Sequence, residues 1–219
     1  MTTEGLRLWT VPWDLLSAAA GTIVLGLLWL GPLASLSHTA FSAHMLLHLG
    51  LMLVAAPLLA MPVSRRLPSP RGLGDALAWY LLAGAFEMLV VLAWHIPLLH
   101  DAAGHNALLF AAEQLSFLAA GVALWACIFS ARRSAAAIAA ALVAALTFSH
   151  MSMFGLMLAL VPTLIYDPNL CQGWFGIYRL NDQHLGGALM AAGGLMYLLA
   201  AVVLFMRAVK AAMEPAASH

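Results

Sequence analysis

The sequence predicts an all-α integral membrane protein, a single bundle of about six transmembrane helices. Hydrophobic residues make up 64% of the 219 residues and charged residues only 8%, and the mean hydropathy is +0.95. A water-soluble domain of this composition would lack the polar side chains to cover its surface. The apolar residues also form continuous runs rather than the alternating pattern of a membrane β-barrel. A lipid bilayer is therefore the expected solvent.

Six apolar runs are long enough, at roughly 20 residues each, to cross a bilayer as helices. The runs are 13–34, 40–62, 75–96, 107–129, 135–161 and 184–208. The first has few basic residues before it and no small-residue cleavage site after it, so we expect a retained helix rather than a signal peptide.

The segments between the runs carry the residues typical of turns. Segment 62–74 contains three prolines and two glycines, and segment 162–181 contains Asp167-Pro168, both of which favour turns over helix. The tail 211–219 is short, and we expect it to be disordered. No internal repeat divides the chain, so residues 1–219 are expected to form one domain.

The basic residues predict the orientation, because Lys and Arg in short loops stay on the cytoplasmic side. With both termini inside, only Arg179 lies on the opposite side. The cytoplasmic group is Arg7, Arg65, Arg66, Arg71, Arg132, Arg133, Arg207 and Lys210. This asymmetry is typical of a multi-pass protein of the bacterial cytoplasmic (inner) membrane.

Two classes of function have no support in the sequence. The basic residues fall in short clusters and the formal net charge is zero, so there is no basic surface for nucleic acid. Cys127 and Cys171 belong to no CxxC pair, so thiolate redox or zinc chemistry is not indicated. The predicted topology puts these two cysteines on opposite sides of the bilayer, too far apart for a disulfide.

Most of the histidines gather toward the non-cytoplasmic face. Counting from the cytoplasmic arginines at about 1.5 Å per helical residue places five groups in the outer third of the membrane. These are His48, His95, Glu113, His150 and Met190, with His44 and His184 further out and Met52 and Glu87 deeper. The outer loops add His38, His100, Asp101, His105, Asp167 and Asp182.

The spacing of two histidines suggests a metal site. His44 and His48 are four residues apart, which puts two imidazoles on one helix face within reach of a single ion. Met52 continues that face one turn deeper, and His150, Met153 and Met157 form a second stripe. Imidazoles with thioethers in an apolar environment select Cu(I). The candidate copper ligands are His44, His48, His95, His150, His184, Met52, Met153, Met157 and Met190.

Acidic residues and loop histidines are candidates for supporting this site. Glu87 and Glu113 lie inside apolar runs, where an ionisable group costs on the order of 3 kcal/mol and usually faces the bundle interior. Their alternative role is a structural hydrogen bond between helices, and that of the methionines is ordinary packing. Asp101 and Asp182 are further supporting candidates, and His38, His100 and His105 are positioned to admit an ion from outside.

Four motifs in order over residues 38–205 resemble one known family. They are His44-Met-Leu-Leu-His48 with the following Ala55-Ala-Pro57, Ala93-Trp94-His95-Ile-Pro97-Leu-Leu-His100-Asp101, Glu113-Gln-Leu-Ser-Phe117, and Asp182-Gln-His-Leu-Gly186-Gly187-Ala-Leu-Met190. Together they are similar to the polytopic CtaG family of cytochrome c oxidase assembly factors, the type associated with caa-type oxidases.

The resemblance implies a non-enzymatic role in delivering copper to the buried copper centre of a haem-copper oxidase catalytic subunit. It also implies a copper donor on the outer side. By resemblance His44 and His48 are the foremost ligands, with His95, Glu113, Asp182 and Met190 as further positions. The chain has Gln114 where family members often have histidine, so His105 or His150 is expected to take its place.

The sequence supports three other functions less well. A membrane cytochrome would use His48 and His150 as axial haem ligands on facing helices. A copper transporter is less favoured, because inward of Glu87 the helices offer little beyond Ser, Thr and Cys127 as relay groups. An intramembrane protease would need a Ser-His or paired-Asp arrangement, and it is the least favoured because the sequence has no GxSG motif and no intramembrane aspartate pair.

Overall fold

The computed structural model describes residues 12–213, and that range contains helices and no strand. In chain order the helices are α1 (Trp13–Leu30), α2 (Pro32–Leu36), α3 (Phe41–Gly50), α4 (Ala56–Ser64), α5 (Leu73–Trp94), α6 (Pro97–His105), α7 (Ala107–Ser130), α8 (Ser134–Leu160) and α9 (Arg179–Met213). A π-helical turn joins α3 and α4 into one continuous helix, Phe41–Ser64. Within residues 12–213, six helices are then long and apolar enough to cross a membrane. The predicted all-α membrane bundle is confirmed.

The last helix is longer than its apolar run at both ends. It begins at Arg179 rather than 184 because polar side chains in its first turn bind neighbouring backbone: Gln183 accepts from Ile165 N at 2.7 Å and donates to Thr163 O at 3.1 Å. Hydropathy alone does not detect a polar turn that is satisfied in this way. The helix also continues to Met213, into the tail predicted to be disordered. Residues 214–219, like Arg7, lie outside the described residues.

The two ends of the bundle differ in their side chains. Segments 65–72 and 131–133 connect helices at one end, here called the arginine end, where Arg132 donates to the carbonyls of Leu67 at 2.8 Å and Ser64 at 3.4 Å. The short helices α2 and α6 and the segment 161–178 lie at the opposite end, here called the histidine end. The charge separation expected from the sequence is therefore a separation along the bundle axis.

Helices α8 and α9 cross with their backbones in direct contact. A Cβ atom at Gly155 would lie 2.5 Å from Ala191 N, and one at Gly187 would lie 2.6 Å from Gly155 O. Only glycine fits at either position. Small residues at the interface are the usual means by which membrane helices approach closely. This crossing fixes α9, and with it Asp182 and Met190, against the rest of the bundle.

The π-helical turn follows from Pro57 and positions Met52. Ala56 N donates to Leu51 O, and Pro57 has no N–H to donate, so neither residue supplies a helical partner for Met52 O. Trp125 on α7 donates its indole N–H to that carbonyl at 2.8 Å. A freed carbonyl at a π turn is thereby satisfied by a neighbouring helix, and the side chain of Met52 is held in the interior, 1% exposed.

Candidate metal centre

Two imidazoles and one carboxylate meet in the interior near the histidine end. One ligand atom from each of His44, His48 and Glu113 lies within 4.8 Å of the others. Glu113 Oε1 is 3.2 Å from His44 Nε2 and 3.6 Å from His48 Nε2. The three residues are 2%, 4% and 0% exposed. We call this group the carboxylate site.

The local sequence and a distant aspartate place the two histidines. The four-residue spacing puts both rings on one face of α3, where their centroids are 4.3 Å apart, as expected for helical neighbours. The N-terminus of α3 has no capping side chain of its own. Asp182 of α9 caps it instead, accepting from Phe41 N at 2.6 Å, from Ser42 N at 3.2 Å and from the Ser42 hydroxyl. Asp182 therefore positions the site through α3.

Gln114 holds the carboxylate and one imidazole together. Its Nε2 lies 3.2 Å from Glu113 Oε2 and 3.1 Å from His48 Nε2. A side-chain amide carries two N–H hydrogens, enough for one to face each of these two partners. The residue that replaces the family's frequent histidine is thus a hydrogen-bonding neighbour of the site.

His100 of α6 covers the site at the histidine end. Its ring stacks on His44 at 4.8 Å, on Phe41 at 5.5 Å and on Tyr166 at 4.2 Å between centroids. Burial lowers the pKa of His100 to about 2, and the neighbouring His44 lowers it in the same direction. The ring is therefore neutral at physiological pH and keeps a lone pair for a metal.

Several buried polar atoms around the site have no hydrogen-bond partner. They include His48 Nδ1, His95 Nε2, Gln114 Oε1 and both ring nitrogens of His100. An unsatisfied buried polar atom costs about 1–3 kcal/mol, so such a concentration indicates a ligand-binding role. Lone pairs on buried imidazoles are what a soft cation requires, and the residues present fit a copper ion.

The second predicted stripe, on α8, does not join the carboxylate site. His150 Nε2 lies 3.3 Å from Glu87 Oε2 on α5, and its Nδ1 donates to Leu146 O at 3.2 Å. Met153 and Met157 are 69% and 46% exposed on the bundle surface. The residues of α8 are apolar on every face of the helix, so the sequence gives little indication of which face is buried. Within the described residues, His150 Nε2 and both Glu87 oxygens are buried and make no hydrogen bond, and Glu87 belongs to this separate pair.

The remaining candidate residues have structural partners at the histidine end. His184 donates to Val161 O at 2.8 Å, and Asp101 accepts from Asp167 N at 3.1 Å. His105 lies 2.9 Å from Asp167 Oδ2, and His38 packs against the ring of Phe110. Of the three histidines expected to admit an ion, His100 is the one that contacts His44.

A small cavity lies beside the carboxylate site and brings thioethers to it. Its lining includes four predicted residues, His48, His95, Met52 and Met190. It also includes Met45 and Met151, which reasoning from the sequence missed. Met45 precedes Met52 by two helical turns, a spacing that puts both on one face. This spacing could have predicted Met45 as a neighbour of Met52.

One of three comparisons with known proteins found a match. The family model described as cytochrome c oxidase caa3 assembly factor matches residues 1–211, nearly the whole chain. No curated protein matches the chain, and no solved structure matches it. The family match confirms the resemblance carried by the four sequence motifs.

Proposed function

Because the chain belongs to the family of cytochrome c oxidase caa3 assembly factors, we propose that it is a membrane copper chaperone. It has no catalytic step of its own, and it delivers copper to the buried copper centre of a haem-copper oxidase catalytic subunit. The observation that carries the proposal is the buried convergence of His44, His48 and Glu113 within 4.8 Å. Copper is the cargo in this account.

The charge of the carboxylate site supports Cu(I) as the cargo. Cu(I) and one Glu113 carboxylate sum to zero, whereas a divalent ion leaves an uncompensated charge in a poorly polarisable environment. The two imidazoles are suitable ligands for copper.

Three ligands suit a site that must also release its ion. A closed four-ligand cage is typical of permanent structural metals, whereas an open coordination position lets a donor or recipient replace one ligand at a time. His100 lies above the site and makes no hydrogen bond through either ring nitrogen. We propose that His100 passes copper inward from a donor at the histidine end, where His38 and His105 also lie.

The arginine end supports a direction for the proposed delivery. Arginine-rich loops stay in the cytoplasm, so the histidine end faces the periplasmic or external side of the bacterial inner membrane. The site then lies at the depth of the outer leaflet. This is the leaflet from which the oxidase subunit, itself embedded in the same bilayer, receives the ion.

Copper binding by purified protein tests the proposal. Wild-type protein, purified in detergent under reducing conditions, is expected to bind one Cu(I) with micromolar or tighter affinity. The double variant His44→Ala/His48→Ala is expected to lose this binding, because both imidazoles of the site are gone. The control is His105→Ala, whose side chain is 56% exposed and paired with Asp167. It removes a histidine from the same end of the bundle and is expected to bind like wild type.

Copper is quantified by atomic absorption after removal of free metal, with gel filtration to show that each variant stays folded. A folded double variant with wild-type copper content would contradict the proposal.

A further inference from the structure

The cavity beside the carboxylate site has a different set of donors. We call it the thioether cavity, and its potential ligands are Met45, His48, Met52, His95, Met151 and Met190. Each of these side chains belongs to a residue that is at most 4% exposed. The donors are neutral sulfur and nitrogen atoms, with no carboxylate among the lining residues. Such a set favours a soft monovalent ion over any divalent one.

His48 belongs to both places. Its Nε2 lies near Glu113 and Gln114 in the carboxylate site, while its Nδ1 is buried without a partner. The same ring lines the thioether cavity. A neutral ring carries one proton, on the nitrogen that does not hold the metal. An ion that moves from Nε2 to Nδ1 therefore exchanges places with this proton and does not leave the protein.

His95 supplies an available nitrogen on the far side of the cavity. Its Nδ1 donates to Val91 O at 2.6 Å, which fixes the tautomer and leaves a lone pair on Nε2. That Nε2 is buried and has no hydrogen-bond partner. The His48 and His95 ring centroids are 6.3 Å apart, close to the roughly 6 Å expected for two imidazoles on one ion with metal–nitrogen bonds of about 2 Å.

His95 also reaches the surface of the bundle. It lines a second and larger cavity on the lipid-facing side of α5 and α8, together with Phe154, Met157 and Tyr166. Tyr166 donates its hydroxyl to His95 O at 3.1 Å and so holds this part of the chain in place. His95 therefore lines both the thioether cavity and this larger lipid-facing cavity, here called the lateral opening.

We propose that the thioether cavity is a second resting position for the Cu(I) ion, reached from the carboxylate site through the shared ligand His48. The inference rests on the proposed function and adds a step to it. The ion exchanges the Glu113 carboxylate and His44 for thioethers and His95, with no change in oxidation state. It thereby moves toward the lipid-facing surface where a membrane-embedded recipient is accessible.

X-ray absorption at the copper edge tests the inference, because sulfur and nitrogen ligands scatter differently. Wild-type protein loaded with less than one equivalent of Cu(I) is expected to show sulfur scattering at about 2.3 Å beside nitrogen or oxygen. The variant Met52→Leu/Met190→Leu is expected to lose about half of the sulfur signal, because it removes two of the four thioethers, and to keep its copper, because the carboxylate site is intact. Leucine has nearly the volume of methionine, which protects the fold.

The control variant is Met153→Leu/Met196→Leu, which makes the same chemical change at methionines that are 69% and 44% exposed. It is expected to keep the sulfur signal. If Met52→Leu/Met190→Leu does not fold, Met45→Leu/Met151→Leu gives the same test with the other two thioethers.

The outcomes separate the two proposals. Wild-type protein that binds copper through nitrogen and oxygen alone would overturn the second position and leave the proposed function standing. Sulfur scattering that stays at the wild-type amplitude in both buried-methionine variants would overturn it as well. Wild-type protein that binds no copper at all would instead overturn the proposed function.

Discussion

Glu113 carries the charge of the carboxylate site. It is fully buried, and its Oε1 faces both imidazoles of α3 at 3.2 and 3.6 Å. Glu87 is also fully buried and also faces a histidine, His150, at 3.3 Å. One partner suits a structural pair, whereas two converging imidazoles and a carboxylate suit a cation. The same substitution at each glutamate therefore distinguishes a cation-binding role from a structural role.

Glu113→Gln is expected to weaken Cu(I) binding by at least about tenfold, because the side chain keeps its volume and loses the charge that neutralises the ion. Glu87→Gln is expected to bind copper like wild type. Affinities are measured by competition with a chromogenic Cu(I) chelator. Equal affinities in the two variants would remove Glu113 from the binding site.

Among contacts between individual residues, the sequence predicted some and not others. The pairing of His44 with His48 follows from helix geometry alone. The separation of His150, Met153 and Met157 from that pair depends on how α8 is rotated, and a helix with apolar residues on every side does not encode its rotation in its own pattern. The structure places Asp182 at the N-terminus of another helix, a contact across 141 residues that no local motif reveals.

At the scale of elements, the site depends on how closely α8 and α9 approach. Gly155 and Gly187 let the two backbones touch, and α9 carries both the Asp182 cap of α3 and the Met190 thioether. The apolar runs predicted that these helices exist. Their contact is encoded by small residues whose partners lie on another helix, so it is visible only in the assembled bundle.

Gly155→Ala is expected to destabilise the protein by about 1–3 kcal/mol, because the added Cβ would lie 2.5–2.6 Å from Ala191 N and Gly187 O, both backbone atoms that cannot move aside. Gly26→Ala on α1 is the control, since nothing lies within 4 Å of its added Cβ. Thermal unfolding in detergent measures both. A midpoint for Gly155→Ala as high as that of the control would show that the helices do not meet as described.

At the scale of the whole molecule, the bundle is polarised along its axis. Among the described residues, the arginines other than Arg179 lie toward one end, and the imidazoles, Glu113 and the buried thioethers lie toward the other. The proposed copper handling therefore takes place near one end of the bundle. Composition and the distribution of basic residues were sufficient to predict the number of spans and this asymmetry. The proposed route, from the histidine end through the carboxylate site and the thioether cavity to the lateral opening, required the assembled structure.

We propose that copper held by His44, His48 and Glu113 is delivered to an oxidase. The copper-to-haem ratio of that oxidase measures this delivery. The oxidase is purified from cells grown at limiting copper that carry either the wild-type protein or His44→Ala/His48→Ala at equal membrane levels. We expect the variant to yield oxidase with its haem in place and its buried copper centre largely unfilled, and added copper to restore the ratio. A full copper-to-haem ratio in the variant at limiting copper would contradict the account.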